Sequence, residues 1–194
     1  MRTHWSSVLS TALAIALVVA WGLAMTGPTQ ASASQDPVAQ AAKPDETGKP
    51  LDKKELEARA CGTGKEVDYD VETDKKTHPT PDPEPGKALV YILRSGLAGG
   101  AVQTKAAIDG TWIGANRGNN YFFVQLDPGE HYACSKAENK SVLAFTVEAG
   151  KTYYLRQEIS MGVMKARNKI VLMDDQKGAK ELAKCHPSVS TAEK

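Results

Sequence analysis

Four carboxylates alternate along one short segment of the chain. Asp68, Asp70, Glu72 and Asp74 occupy every second position, and carboxylate oxygens are the ligands that Ca²⁺ prefers in proteins. On one face of an extended strand these side chains lie about 6.5–7 Å apart, which is too far to converge on a single ion. The EF-hand pattern also fails, because Thr73 stands where its turn glycine is required. The sequence therefore predicts a solvated acidic strand face and no metal site.

Two other segments match phosphate-binding or nucleophile motifs only in part. Residues 96–100 are rich in glycine and follow an apolar run, but no Lys-Ser/Thr pair completes a phosphate-binding loop and no helix pattern follows. Ser160 lacks the first glycine of the G-x-S-x-G motif, because Glu158 occupies that position. We therefore expect a hairpin loop and a turn serine, and we assign no catalytic residue and no cofactor.

The histidines after the N-terminal region give only a weak chemical signal. His78, His131 and His186 have no His or Cys partner at a metal-ligand spacing. His131 lies beside a turn, where a partly exposed, hydrogen-bonded histidine is the ordinary finding. A catalytic alternative places His131 with Asp127 or Glu130 in a site built from loops.

A binding face is the other candidate site. Trp112, Arg117, Tyr121 and His131 could line such a face on the folded domain. Packing in the core and at the rim of a β-sandwich explains the aromatic residues with fewer assumptions. We therefore treat these four residues as a weak candidate only.

Three cysteines allow one internal disulfide and leave one thiol. Cys185 follows Leu182 by three residues on the apolar face of a predicted helix, so it can be buried as a small hydrophobic side chain. Cys61 precedes the first predicted strand, where a covalent tie would hold a weakly packed end. Cys134 lies in a predicted core strand and provides a fixed point. We therefore predict a Cys61–Cys134 disulfide.

The first residues have the layout of a secretory signal peptide. Arg2 and His4 precede an uncharged apolar stretch over residues 8–25, and Ala31-Ser32-Ala33 offers a small-x-small cleavage site. The stretch approaches the roughly 18–20 residues that span a bilayer, so an uncleaved N-terminal anchor remains an alternative. We expect an exported protein of the periplasm or cell envelope, with residues 1–33 as the signal peptide.

The charge balance limits the classes of partner. After removal of residues 1–33 the chain carries 23 basic and 23 acidic side chains. A nucleic-acid surface needs clustered Lys and Arg, and so does a polybasic membrane contact. The balance argues against both. An envelope protein or a cell-wall component is the expected partner, with membrane attachment only through an uncleaved N-terminal segment.

The segments before residue 86 have little to bury. Residues 34–60 are predicted to be a disordered tether in which capping-box spacing favours a short helix over residues 52–60. Residues 61–85 contain one strand pattern over residues 66–72 and then a spacer in which proline recurs every second residue, which favours extended backbone.

Residues 86–185 alternate short apolar runs with turn sequences. The strongest turn signal is Asp109-Gly110, which suits a type I′ hairpin. We predict a mainly β fold, a small antiparallel β-sandwich of about eight strands, with a short C-terminal helix near residues 175–185. Residues 186–194 are expected to be a disordered tail. The other turn sequences are Asp127-Pro128-Gly129-Glu130 and Ala149-Gly150-Lys151.

An ordered string of motifs in this region carries a family resemblance. The motifs are Gly86-Lys87-Ala88-Leu89-Val90-Tyr91, Ile108-Asp109-Gly110, Ile113-Gly114, Tyr121-Phe122-Phe123, Pro128-Gly129-Glu130-His131, Glu148-Ala149-Gly150-Lys151-Thr152-Tyr153-Tyr154-Leu155-Arg156-Gln157 and Met161-Gly162. This string resembles the bacterial domain-of-unknown-function family 2846 over roughly residues 86–185. The resemblance implies a small β-sandwich similar to the PEGA envelope domains, and an envelope location. It implies no activity and no functional residues. Many members look like lipoproteins, whereas this chain has no lipobox cysteine.

Two function hypotheses follow. The first is a non-enzymatic binding or interaction module of the cell envelope, carried on a disordered tether. The second is an uncharacterised envelope hydrolase or transferase with a loop-built site. We favour the first because no nucleophile and base are paired by sequence pattern.

The signal-peptide interpretation makes a direct prediction. Because Ala31-Ser32-Ala33 provides the cleavage site, N-terminal sequencing of the protein isolated from the cell envelope should begin at Ser34. An intact Met1 terminus would instead support an uncleaved anchor.

Overall fold

A computed structural model describes residues 51–96, 99–161 and 166–193. The predicted signal peptide, the anchor alternative and the tether over residues 34–50 lie outside these residues. Within the described ranges, no helix is both long enough and apolar enough to cross a bilayer. The elements are α1 (Lys53–Cys61), β1 (Tyr69–Thr73), β2 (Ala88–Arg94), β3 (Thr104–Ile108), β4 (Thr111–Asn116), β5 (Asn120–Leu126), β6 (Gly129–Lys136), β7 (Lys140–Val147), β8 (Thr152–Met161), β9 (Ala166–Met173), α2 (Asp175–Leu182) and β10 (His186–Ala192).

The strands form two sheets, which confirms the mainly β prediction. The larger sheet has the order β1-β10-β5-β2-β8-β9, and the smaller sheet has the order β4-β3-β6-β7. The smaller sheet is antiparallel, as predicted for the sandwich, whereas the larger sheet is mixed. There β2 pairs with β8 in parallel, and β5 pairs with β10 in parallel.

The parallel β2–β8 pair is possible because two turn sequences carry the chain between sheets. Residues 127–128 join β5 of the larger sheet to β6 of the smaller one, and residues 148–151 lead from β7 back to β8. A tight turn predicts antiparallel neighbours only when both strands stay in one sheet. The Asp109-Gly110 turn does join neighbours, β3 and β4. Both residues have positive φ, 50° and 79°, as the predicted type I′ turn requires.

The main core lies between the two sheets. Strand β2 is buried over its whole length, because one face meets the smaller sheet and the other face is also covered. Side chains from both sheets alternate into this core, as expected for strands with one face turned inward. The buried members are Ala88, Val90, Ile92, Leu155 and Ile170 of the larger sheet and Ala106, Ile108, Ala133, Phe145 and Val147 of the smaller sheet.

Helix α2 covers the outer face of the larger sheet. Leu182 and Cys185 pack there against Leu89 and Met173 of the sheet. Gly178 lets the helix approach closely, since a Cβ at this position would lie 2.2 Å from the ring of Tyr154. The predicted C-terminal helix is therefore present, and close packing offsets the low helix propensity of its glycine.

Helix α1 covers the outer face of the smaller sheet and is linked to it covalently. Asp52 caps the helix by accepting a hydrogen bond from the Glu55 amide at 2.8 Å. At the other end, Ala60 and Cys61 are buried against the sheet. The predicted Cys61–Cys134 disulfide is confirmed, with the two Cα atoms 5.1 Å apart.

The chain after α2 departs from the sequence prediction. Residues 186–194 were expected to be a disordered tail, but His186–Ala192 form β10. This strand pairs antiparallel with β1 along its length, and its first two residues pair in parallel with β5. The segment contains few apolar residues, so its strand is defined by backbone pairing with β1 and not by a hydrophobic pattern. With β1 included, the described part of the chain contains ten strands.

A buried polar cluster joins the two sheets at one end of the core. Gln157 of β8 is fully buried, and its Oε1 accepts hydrogen bonds from Thr104 Oγ1 at 3.0 Å and Asn116 Nδ2 at 3.1 Å. Its Nε2 donates to Ser135 Oγ at 2.9 Å. The three partners belong to three strands of the opposite sheet, so one side chain fixes the relative position of both sheets.

The remaining thiol is held inside the protein. Cys185 is 1% exposed, and burial, with a smaller effect of the Glu181 carboxylate, raises the pKa of its thiol to about 11. The thiol is therefore protonated and inaccessible near neutral pH.

Removal of the disulfide should destabilise the fold. The double variant Cys61→Ser/Cys134→Ser opens a loop that spans 73 residues, and we expect it to lower the free energy of unfolding by about 2–4 kcal/mol. Urea denaturation with and without a reductant measures this. The control variant Cys185→Ala should keep the response to reductant, whereas the double variant should lose it. A wild-type curve that reductant does not shift would contradict a stabilising disulfide.

Candidate functional site

An open groove lies between the end of α1 and the β3–β4 turn. We call this feature the hairpin groove. Its volume is about 610 Å³. Its polar and aromatic side chains come from three elements that are distant in sequence. The residues that define it are Arg59, Gly62, Thr63, Asp109, Gly110 and Tyr132.

The two walls of the groove are in backbone contact. Gly62 ends α1 with a φ of 76°, and a Cβ built on it would lie 2.4 Å from the carbonyl oxygen of Gly110. The Gly110 amide donates a hydrogen bond to the carbonyl of Ala60 at 3.2 Å. Because Cys61 is disulfide-bonded to the sheet at the same point, helix and hairpin are held as one unit.

A cation stacked on an aromatic ring forms one side of the groove. The Arg59 guanidinium lies 5.6 Å from the centre of the Tyr132 ring and pairs with Glu55 at 3.0 Å. The hydrogen bond to Glu55 raises the pKa of Arg59, so this side chain remains charged. A guanidinium over a tyrosine ring offers a flat, polar surface with donors at its edge.

Asp109 lines the other side of the groove, and its contact with His131 holds the turn in place. Asp109 Oδ1 accepts from the Tyr132 amide at 2.8 Å, and its Oδ2 lies 2.6 Å from His131 Nδ1. His131 Nε2 lies 2.8 Å from the carbonyl oxygen of Asp127. Both ring nitrogens are therefore engaged with protein acceptors.

These contacts revise the catalytic alternative. The sequence placed His131 with the carboxylate of Asp127 or Glu130, but its carboxylate partner is Asp109, 22 positions earlier in the chain. The Asp127 carboxylate pairs with Lys87 at 2.8 Å, and Glu130 accepts from the Tyr132 hydroxyl at 3.1 Å. Sequence reasoning treated Asp109 only as a turn residue, and no local signal linked it to His131.

The four residues of the candidate binding face do not form one face. Tyr121 is fully buried on the outer side of the larger sheet, where its hydroxyl donates to the carbonyl of Pro79 at 2.9 Å. Trp112 packs on the outer side of the smaller sheet. Arg117 is exposed between β4 and β5. They separate because β4 and β5 belong to different sheets.

The alternating carboxylates also have separate surroundings. Asp68 pairs with Lys105 Nζ at 2.5 Å, and this hydrogen bond lowers the pKa of Asp68. Asp74 accepts from the hydroxyl of Thr77 at 2.5 Å. In residues 51–96, 99–161 and 166–193, no three His, Cys, Asp or Glu side chains are grouped as a metal site would require.

A second, smaller cavity of about 370 Å³ lies beside α2. Its charged side chains bind one another: Arg156 pairs with Glu158 and, at 2.9 Å, with Glu181 of the helix. The Ser95 hydroxyl donates to Glu181 as well. This cluster therefore holds α2 on β8, and we regard the hairpin groove as the better candidate site.

The glycine contact between the groove walls can be tested by substitution. Gly62→Ala should lower the free energy of unfolding by about 2–4 kcal/mol, because a left-handed residue acquires a side chain and that side chain clashes with Gly110. The matched control is Gly86→Ala, which has a φ of 79° but open space around its Cβ, and should cost only about 1–2 kcal/mol. Urea denaturation of both variants measures the two losses in the free energy of unfolding. Equal losses would contradict the close contact.

Comparison with known proteins defines the family of the central region only. No curated protein and no solved structure matches the chain. Residues 84–169 match the family model described as Protein of unknown function (DUF2846). The match begins just before β2 and ends within β9, so α1, α2 and β10 lie outside it. The resemblance to this family that the sequence motifs indicated is thereby confirmed for residues 84–169.

Proposed function

We propose that this chain is an exported cell-envelope protein whose β-sandwich acts as a non-enzymatic binding or interaction module. The observation that carries the proposal is the hairpin groove, a shallow, open surface between α1 and the β3–β4 turn. Recognition sites combine a fixed scaffold with a few convergent polar groups. The groove has both, because its walls are linked by a disulfide and by backbone hydrogen bonds.

Export is supported by two independent features. The N-terminal residues have the order of a secretory signal peptide. The Cys61–Cys134 disulfide is of the kind that persists in oxidising compartments such as the periplasm. The expected partner is an envelope protein or a cell-wall component, and membrane attachment through the N-terminus applies only if that segment is not cleaved.

The polar side chains of the hairpin groove favour a ligand-binding role. Arg59 supplies a cation on an aromatic platform, Asp109 supplies a carboxylate, and Thr63 supplies an exposed residue at the rim. These groups suit a polar ligand that can both donate and accept hydrogen bonds.

The alternative is an uncharacterised envelope hydrolase or transferase. The His131–Asp109 contact is the observation in its favour, since a His–Asp pair is a common acid–base unit. We rank it second because His131 Nε2 is engaged by the Asp127 carbonyl, which leaves no ring nitrogen directed at a substrate.

Site-specific crosslinking in cells tests the binding proposal. A photoreactive phenylalanine at Thr63, which is exposed in the groove, should give a discrete adduct that mass spectrometry can identify. The same amino acid at Lys140, which is exposed at the start of β7, is the matched control and should not give that adduct. Arg59→Ala should weaken the Thr63 adduct by removing the cation. Identical products at both positions, or none at Thr63, would contradict a ligand site in the groove.

A further inference from the structure

The exposed side of α2 is lined by lysines. Lys177, Lys180 and Lys184 are all exposed, and their spacing of three and four residues places them on one side of a helix. The helical path continues to Lys184, because Ala183 has helical dihedral angles and the Lys184 amide donates to the Glu181 carbonyl at 3.0 Å. The three ammonium groups therefore form one row.

The acidic residues of the helix do not neutralise this row. Glu181 points toward the sheet and is engaged by Arg156 and Ser95. Asp174 caps the helix by accepting from the Lys177 amide at 2.8 Å. Asp175 is exposed, but its position two residues before Lys177 places it on the other side of the helix. Among the described residues, none of the three lysines is in an ion pair of 4.0 Å or less.

The row has an energetic cost that the fold itself does not explain. Like charges three and four residues apart destabilise a helix by roughly 0.2–0.5 kcal/mol per pair. The helix dipole favours cations in the last turn, which accounts for Lys180 and Lys184. It disfavours Lys177 in the first turn, so the helix itself gives no stabilising role to that charge.

Two further lysines extend the basic surface. Lys75 and Lys76 are exposed in a turn that Asp74 organises, because its carboxylate accepts from the Lys76 amide at 2.7 Å. This turn is held next to the end of α2 by His78, whose Nε2 lies 3.2 Å from the Leu182 carbonyl oxygen. We call the five lysines 75, 76, 177, 180 and 184 the basic face.

We propose that the basic face binds an anionic phospholipid surface. Protein interfaces are enriched in Arg, Tyr and Trp and depleted in Lys, whereas the basic face consists of lysines and α2 contains no aromatic residue. A lysine ammonium is a compact, hydrated point charge. It therefore suits a surface of many loosely placed headgroups better than it suits a carboxylate held in one fixed geometry. A convex helix side also fits an extended surface and not a single small anion.

The overall charge balance is a property of the whole chain, whereas this assignment depends on the local row of lysines on α2. Acidic side chains lie near the turn, since Glu72 and Asp74 directly precede Lys75 and Lys76 in the chain. Each lysine near an anionic leaflet contributes about 1 kcal/mol, and this attraction acts locally. The inference rests on the proposed envelope location, but it does not depend on the hairpin groove.

Vesicle binding of the processed protein, isolated from the envelope, tests the proposal without a contribution from the apolar N-terminus. We expect cosedimentation with vesicles of equal parts phosphatidylglycerol and phosphatidylcholine at low salt, much weaker binding at high salt, and none with phosphatidylcholine alone. Equal binding to both vesicles, or no binding to the anionic ones at low salt, would overturn the proposal.

Two variants and a matched control locate the site. Lys177→Gln/Lys180→Gln/Lys184→Gln should lower the affinity about 160-fold, which corresponds to about 1 kcal/mol per lysine. Lys75→Gln/Lys76→Gln, outside regular structure, should lower it about 30-fold without affecting the helix. The control Lys54→Gln/Lys65→Gln/Lys140→Gln removes the same number of exposed lysines elsewhere and should bind as the wild type does. An equal loss in the control would show a diffuse charge effect and sink the proposal.

The groove experiment separates this inference from the proposed function. If the Thr63 adduct persists while vesicle binding fails, the binding module stands and the membrane contact is wrong. If vesicle binding holds while the Thr63 adduct is absent, the membrane contact stands and the groove is not the ligand site.

Discussion

The burial of β2 on both faces is the constraint on which the architecture depends. A strand that is apolar on both sides needs a covering layer on each side. The smaller sheet covers Ala88, Val90 and Ile92, and the opposite side is covered by α2 together with Tyr121. The place of both neighbouring layers therefore follows from this one strand. Its central position also explains why β5 and β8 pair with it on either edge.

The Gln157 cluster gives the sandwich a defined register where the apolar core ends. Side chains alternate along β8, so a slip of one residue would move Gln157 from the core to the outer face. Thr104, Asn116 and Ser135 would then lose their shared buried partner, and unmade hydrogen bonds in the interior are costly. The apolar residues hold the sheets together, whereas this polar side chain specifies how they are aligned.

The candidate site depends on the disulfide between Cys61 and Cys134, which lie 73 positions apart in the sequence. Helix α1 has few buried residues of its own, and Ala60 and Cys61 provide its contact with the smaller sheet. The disulfide holds Gly62 against Gly110, and His131 holds Asp109 in the same turn. The groove is therefore a product of three elements, and none of them could form it alone.

Local chemistry in the sequence determined the elements, and the path of the chain between sheets decided their arrangement. The apolar run of β2, the turn at Asp109-Gly110 and the cap at Asp52 each act within a few residues, so they could be predicted. The same local patterns could not predict β10, because that strand is defined by its pairing with β1 and β5. Local patterns also could not predict the contact between His131 and Asp109, or that Trp112 and Tyr121 belong to different sheets. Those relations depend on the sheet to which each strand belongs. That is determined by the burial of apolar side chains from the whole chain.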